Sequence, residues 1–277
     1  MIANLETQGL ELRDIESFEV GFSSSASGTR VAAFFDLDGT MLPLPSLERR
    51  FVAELRARRA MPVQNYFRWL TAAARLSPQG ILKMAHQNKM HLCGVRAGAI
   101  AGHHFAFFPA ALRRIEWHLS QQHAIVLVSG TLEILARQAA LALMLRFATL
   151  KIGATIRVVA TRLQQNDGCY TGKIDGEAIY AQGKARAMQR VAAENGFDLM
   201  RSYAYGDSSS DRWMLGAVGK PAAVNPSPEL RRIAELRYWP VFTWIHREES
   251  AADALPRSRR VDINTTFISR IKPESAR

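Results

Sequence analysis

The chain is poor in cysteine, in uninterrupted apolar runs and, over one long stretch, in acid. Two cysteines, Cys93 and Cys169, among 277 residues are too few for a disulfide framework, so free thiols in a reducing compartment are expected. No basic region followed by an apolar run opens the sequence. Glu6, Glu11, Asp14, Glu16 and Glu19 outnumber Arg13 and Arg30 there, so no secretory signal of the usual form is expected. The most apolar helix-length stretch, Leu132 to Leu150, is interrupted by Glu133, Arg137 and Arg146 and predicts a core helix rather than a membrane span. These absences together predict a cytoplasmic protein.

The shortage of acid lies between Pro43 and Gln122, where twelve lysines and arginines face only Glu48, Glu54 and Glu116. Most of the net charge of +11 sits there and favours anionic ligands or surfaces, although solvated helix faces account for most arginines in general. Leu47, Val52 and Leu55, then Tyr66, Trp69, Leu70 and Ala73, then Leu112, Ile115 and Leu119 recur at helical spacing. A basic helical segment inserted between two strand motifs predicts a separate cap over residues 43–122. His86, His91, His103, His104 and His118 fall in it beside Cys93, but their spacing matches no zinc pattern, and packed or partly exposed histidines are expected. Phe105, Phe107 and Phe108 are expected in the core, with contact to a lipid or apolar substrate group as the alternative.

What is present begins with Val31 to Leu42, VAAFFDLDGTML. Its first half is a short apolar run without helical spacing, the pattern of a buried strand in a parallel sheet. Asp36 and Asp38 follow where the strand gives way to Gly39 and Thr40. Ligands of open α/β sheets bind at that edge. Two acids crowded there without a base repel each other, which implies a divalent hard cation or a shared proton. An ordinary Asp-Gly turn is the plainer alternative.

Later stretches repeat the theme. Ala124 to Val128 is a second buried-strand run, and Ser129-Gly130-Thr131 follows it. These three residues are expected at a helix start, where a hydroxyl and free N–H groups either cap the helix or cradle a phosphate. Asp167-Gly168 between two short strands predicts a hairpin. Gly183-Lys184 opens a helix that stops near Asn195-Gly196, and a cation at that positive end implies a nearby anion. After the strand Ser202 to Tyr205, Gly206-Asp207-Ser208-Ser209-Ser210-Asp211 brings two more acids to a strand end, where they could supply oxygen ligands to Mg2+. As an alternative, Asp211 could serve as an N-cap. Pro221 to Asn225 predicts another strand, and Ser227-Pro228 the start of a helix.

In chain order, DLDGT, VSGT, GK and GDSSSD over Val31 to Val241, the sequence resembles the haloacid dehalogenase superfamily, in particular its phosphoserine-phosphatase-like branch with a helical cap after the first motif. The resemblance implies an α/β fold, a Rossmann-like parallel sheet core over residues 31–42 and 123–245 with an inserted α-helical cap over 43–122; it omits both ends, where composition predicts an N-terminal extension over 1–30 and a partly disordered tail over 246–277. It implies a Mg2+-dependent phosphatase with Asp36 as nucleophile forming an aspartyl-phosphate, and Asp38 as general acid and base. Ser129 and Gly130 would bind the phosphate, with Lys184 steadying it. Asp36, Asp38 through its carbonyl, Asp207 and Asp211 would make the metal site. Family members that lack an acid at the place of Asp38 include dehalogenases and cation pumps, so its presence implies phosphatase or phosphomutase chemistry. Where phosphoserine phosphatases carry a substrate-binding glutamate this chain has Pro45, with Glu48 out of register. The expected substrate is therefore a small phosphorylated metabolite, with a lipid phosphate or an anionic membrane surface as a further partner and no specific nucleic acid. A phosphomutase or phosphotransferase, and a non-catalytic binder using the basic cap, are the competing readings.

Overall fold

The first strand, β1 (Ala32–Phe35), is buried on every residue, as a strand covered on both faces must be. The computed structural model describes residues 30–76, 86–97, 105–150 and 155–245. The expected extension, apart from Arg30, and the tail lie outside these, as do His103 and His104. In the described residues β1 lies inside a six-stranded sheet with β2 (Ala124–Leu132), β3 (Ile156–Thr161), β6 (Tyr203–Gly206), β7 (Lys220–Val224) and β8 (Val241–Phe242). Their order is β3-β2-β1-β6-β7-β8, and every pairing is parallel. The strand alternation of period two separates the core into two layers. Ala33 and Phe35 join one apolar cluster with Ile125 and Leu127, while Ala32 and Phe34 join the other with Val126 and Val128.

Helices cover both faces. On one lie α1 (Leu47–Ala57), α3 (Pro109–Ser120) and α4 (Glu133–Thr149), through Phe51, Ile115, Leu135 and Leu143. On the other lie α5 (Gln182–Asn195), α6 (Arg212–Leu215) and α7 (Pro228–Leu236), through Met188, Met214 and Leu230. The fold is thus the expected α/β Rossmann-like sheet. Within the inserted stretch, α1 starts at Ser46, whose Oγ accepts the Arg49 N–H at 3.4 Å, and α2 (Gln64–Leu76) follows. The last helix of the stretch, α3, rests on the sheet itself: His118 packs edge-on to Phe35 at 5.8 Å. Phe108 is buried, with Phe105 and Phe107 packed against the same core. Among the described residues no helix is long and apolar enough to cross a membrane.

The sequence reading needs one correction at the end of β2. Ser129, Gly130 and Thr131 are not a helix start; they continue the strand, whose pairing with β3 is irregular between Ser129 and Leu132. The residue flanking α4 is Leu132, without a side-chain cap, so neither hydroxyl caps the helix. An irregularity of this kind redirects side chains at a strand end. The hairpin appears as expected: β4 (Leu163–Asn166) pairs antiparallel with β5 (Cys169–Ile174). Asp167 and Gly168 take φ of 49° and 72°, the left-handed pair of a tight two-residue turn.

Candidate active site

The chain leaves β1 through a turn that lays two acids at the sheet edge. The Asp36 N–H donates to the Tyr205 carbonyl at 2.9 Å, prolonging the pairing with β6, and its side chain is buried. The turn is closed by the Met41 and Leu42 N–H groups, which both donate to the Leu37 carbonyl at 2.9 Å. At its apex Gly39 takes φ of +86°, and a Cβ there would stand 2.2 Å from Asp207 Oδ2. Only glycine permits both that backbone and that approach. Beyond the apex, Asp38 Oδ1 accepts the Leu47 N–H of the first turn of α1 at 2.8 Å, where an acid is favoured by the helix dipole.

Two other elements complete the floor. From the start of α5, the buried Lys184 ammonium donates to Asp36 Oδ1 at 2.5 Å and to Asp211 Oδ1 at 2.7 Å. The anion expected to offset a cation at that helix end is therefore supplied by the protein's own carboxylates. The other oxygen of Asp211 accepts the N–H groups of Asp207 and Ser208 at 3.2 and 2.9 Å and the Ser208 hydroxyl at 2.8 Å. Thr40 holds its hydroxyl 3.4 Å from both Asp36 and Asp207.

Asp36, Asp207 and Asp211 each offer one oxygen within 4.8 Å of the others. Such crowding has an electrostatic signature. Burial pushes Asp36 up to about 7 against the pull of Lys184, with Asp211 adding to the rise. Burial, then Asp36 and Asp211, push Asp207 up to about 9. Asp38 is also raised by burial, opposed by its bond from Leu47. Burial alone would lower the Lys184 pKa, but Asp211 and Asp36 outweigh it and raise it. Three carboxylates around one ammonium leave an excess of negative charge that suits a divalent, oxygen-seeking cation.

Above this floor opens a cleft of about 340 Å3. Asp36, Asp38, Ser129, Gly130, Lys184 and Asp207 all line it, while Asp211 is fully buried behind them. Thus six of the residues picked from sequence meet in one cavity, and the seventh props two of them. Thr131 lines the cleft as well, and its buried Oγ1 has no hydrogen-bond partner. A buried hydroxyl is seldom left so, and an anionic oxygen in the cleft would satisfy it.

The sequence reading missed three features of the wall. Thr131 shares a motif with Ser129 whose local pattern favours a helix start, and it is the strand that brings it to the wall. Glu48 lines the cleft with both oxygens held by the Lys89 ammonium at 2.6 and 2.7 Å. His86 stacks on Tyr180 with ring centroids 3.7 Å apart. Neither pair had a sequence signal, since the partners come from separate parts of the chain. Burial pushes His86 down to about 4, so this ring is neutral at ordinary pH.

The chain is similar to several known proteins. A probable phosphatase of Mycobacterium tuberculosis is 32% identical over 259 residues, 87% of this chain and 85% of its own. An inhibition of morphological differentiation protein of Streptomyces azureus is 46% identical over 101 residues, 36% of either chain. A crystal structure of a protein of unknown function from Bordetella pertussis superposes with a TM-score of 0.57 at 28% identity, covering 78% of this chain and 99% of that one. With the family model for haloacid dehalogenase-like hydrolase matching residues 33–216, the chain belongs to that family, among its phosphatases, the phosphoric monoester hydrolases.

Proposed function

We propose that the cleft hydrolyses the phosphomonoester of a small phosphorylated metabolite through an aspartyl-phosphate on Asp36. The observation that carries this reading is the buried Asp36–Lys184–Asp211 chain beside Asp207 and Asp38 on one cavity floor. In the first half-reaction an Asp36 oxygen bonds to phosphorus as the ester P–O bond breaks, and Asp38 gives its proton to the leaving alkoxide. The raised pKa of Asp38 supports that role, because a carboxyl must hold its proton to deliver it. In the second half-reaction Asp38 takes a proton from water, whose oxygen bonds to phosphorus, releasing inorganic phosphate and restoring Asp36. Ser129, Gly130 and Thr131 bind the phosphoryl oxygens, and Lys184 orients Asp36 and offsets charge.

Asp36, Asp207 and the Asp38 carbonyl would hold Mg2+, which would supply neutralisation of charge on the phosphoryl group. Asp211, with its oxygens taken by Lys184, two N–H groups and Ser208, would position the others. We place the cap in the residues between the first motif and α3, whose own contacts are with the sheet. The paired state of Glu48 speaks against a free carboxylate waiting for a substrate ammonium, and so for a metabolite other than phosphoserine. Unpaired Cys93 and Cys169 support placement in the cytoplasm.

The test is phosphate release from a panel of phosphomonoesters, with and without Mg2+, for the wild type and Asp36→Asn. Release that needs the metal and falls by at least about three orders of magnitude in the variant is the expected result. Release that survives the substitution would overturn the mechanism. Consumption of ester without free phosphate would favour transfer to a second substrate.

A further inference from the structure

Helix α2 is amphipathic twice over. One side is anchored: buried Asn65 donates through Nδ2 to the carbonyls of His91 and Cys93 at 3.1 and 2.6 Å, and Asn88 donates to the Trp69 carbonyl at 2.9 Å. The side opposite Asn65 is apolar and open. Val63, Tyr66, Phe67 and Leu70 are between 43% and 72% exposed, with exposed Ala74 one turn further on. Val63, Phe67, Leu70 and Ala74 recur at the spacing that aligns side chains along a helix. Such a stripe on the outside of a folded protein calls for an occupant.

The charge around it indicates which kind. Residues 56–76 contain five arginines and no acid. Exposed Arg75 lies along one border of the stripe, while Arg68 turns to the anchored side, donating to Asn65 Oδ1 at 3.4 Å and to Cys93 Sγ at 3.3 Å. At the other border the Arg56 guanidinium sits 5.7 Å from the Tyr66 ring centroid. An apolar stripe with an aromatic ring, edged by arginines on both sides, is complementary to a surface that is anionic at its headgroups and apolar just beneath. A partner protein would have to match both layers; a bilayer does so everywhere.

We infer that α2 docks this protein onto an anionic lipid surface, with Phe67 and Leu70 entering the acyl boundary and Arg56 and Arg75 meeting the headgroups. The docking face is separate from the cleft and stands or falls independently of the phosphatase reading, because it is read by binding and not by turnover.

The experiment is co-sedimentation of the full chain with vesicles of phosphatidylcholine alone, or with about one third phosphatidylglycerol, at low and high salt. Binding to the anionic vesicles only, weakened by salt, is expected. Phe67→Ser with Leu70→Ser, and separately Arg56→Glu with Arg75→Glu, should each lower the partition coefficient at least about tenfold. Far-ultraviolet circular dichroism and the thermal melting midpoint should match the wild type in both, which shows that they fold. Three results would overturn the inference: no binding to either vesicle, binding indifferent to both double variants, or a wild-type dimer that Phe67→Ser with Leu70→Ser converts to monomer. The last would assign the stripe to a second copy of the chain.

Discussion

Thr131 places a buried hydroxyl without a partner beside Ser129 and Gly130 in the wall of the cleft. If it donates to a phosphoryl oxygen, its bond is one to a charged group, about 1.5–3 kcal/mol. Thr131→Val should then lower kcat/KM by about ten- to a hundredfold, seen in steady-state kinetics. The same substitution removes an unsatisfied polar atom and nearly keeps the shape, so the denaturant midpoint should hold or rise. A variant with unchanged kinetics would take Thr131 out of the phosphate cradle. Ser129 differs from it, since its Oγ already accepts the Thr131 N–H at 3.2 Å.

At the scale of elements, the site depends on how closely the turn after β1 approaches the loop after β6. Gly39 controls that approach. In Gly39→Ala the new Cβ must displace the Asp207 carboxylate while the backbone is held at a φ that L-residues rarely adopt. The strain alone costs roughly 1–3 kcal/mol, and moving Asp207 should raise the Mg2+ concentration needed for activity. Thermal melting together with a Mg2+ titration of phosphate release measures both effects. A normal metal requirement in a normally folded variant would mean that Asp207 is not a ligand. The second glycine of the site, Gly206, plays the matching part on the other loop, since a Cβ there would meet Asp211 Cβ at 2.6 Å.

At the scale of the whole molecule, α3 joins the inserted stretch to the sheet through a buried polar chain. His118 Nε2 lies 2.9 Å from the Tyr205 hydroxyl and its Nδ1 lies 2.9 Å from His123 Nδ1. Burial, with His123, Arg114 and Lys220 adding to it, pushes His118 down to about 3. The unfolded chain, with histidine near 6.5, therefore binds more protons than the folded one on the acid side. The stability that His118 contributes is present above about pH 6.5 and is lost as pH falls toward 3. The His118 contribution alone should fall by about 2 kcal/mol between about pH 7 and pH 5, with His86 acting in the same direction and the raised Asp36 and Asp207 in the opposite one, so it is read as the difference in the pH slope of equilibrium unfolding between the wild type and His118→Gln. In His118→Gln part of that slope should vanish, and an unchanged slope would assign the acid sensitivity elsewhere.

The sequence by itself determined which residues could do chemistry and where strands would end. Val31 to Asp38 states both, because a buried parallel strand must be apolar throughout and charge can appear only where it leaves the sheet. The turn at Asp167-Gly168, the stop at Gly196 and the cap at Ser227 were legible for a similar reason, since each is a local backbone requirement met by one or two residue types. The tertiary structure alone decided what is set by distance across the chain. Lys184 joins Asp36 and Asp211, Lys89 neutralises Glu48, and His86 meets Tyr180, and no local pattern encodes a pairing between distant segments. It also decided that Ser129 to Thr131 finish a strand, because pairing with β3 outweighs the local signal for a helix start. The open face of α2 belongs here too: the heptad-like spacing was in the sequence, but which side the rest of the protein would leave uncovered was settled by Asn65 and its anchors.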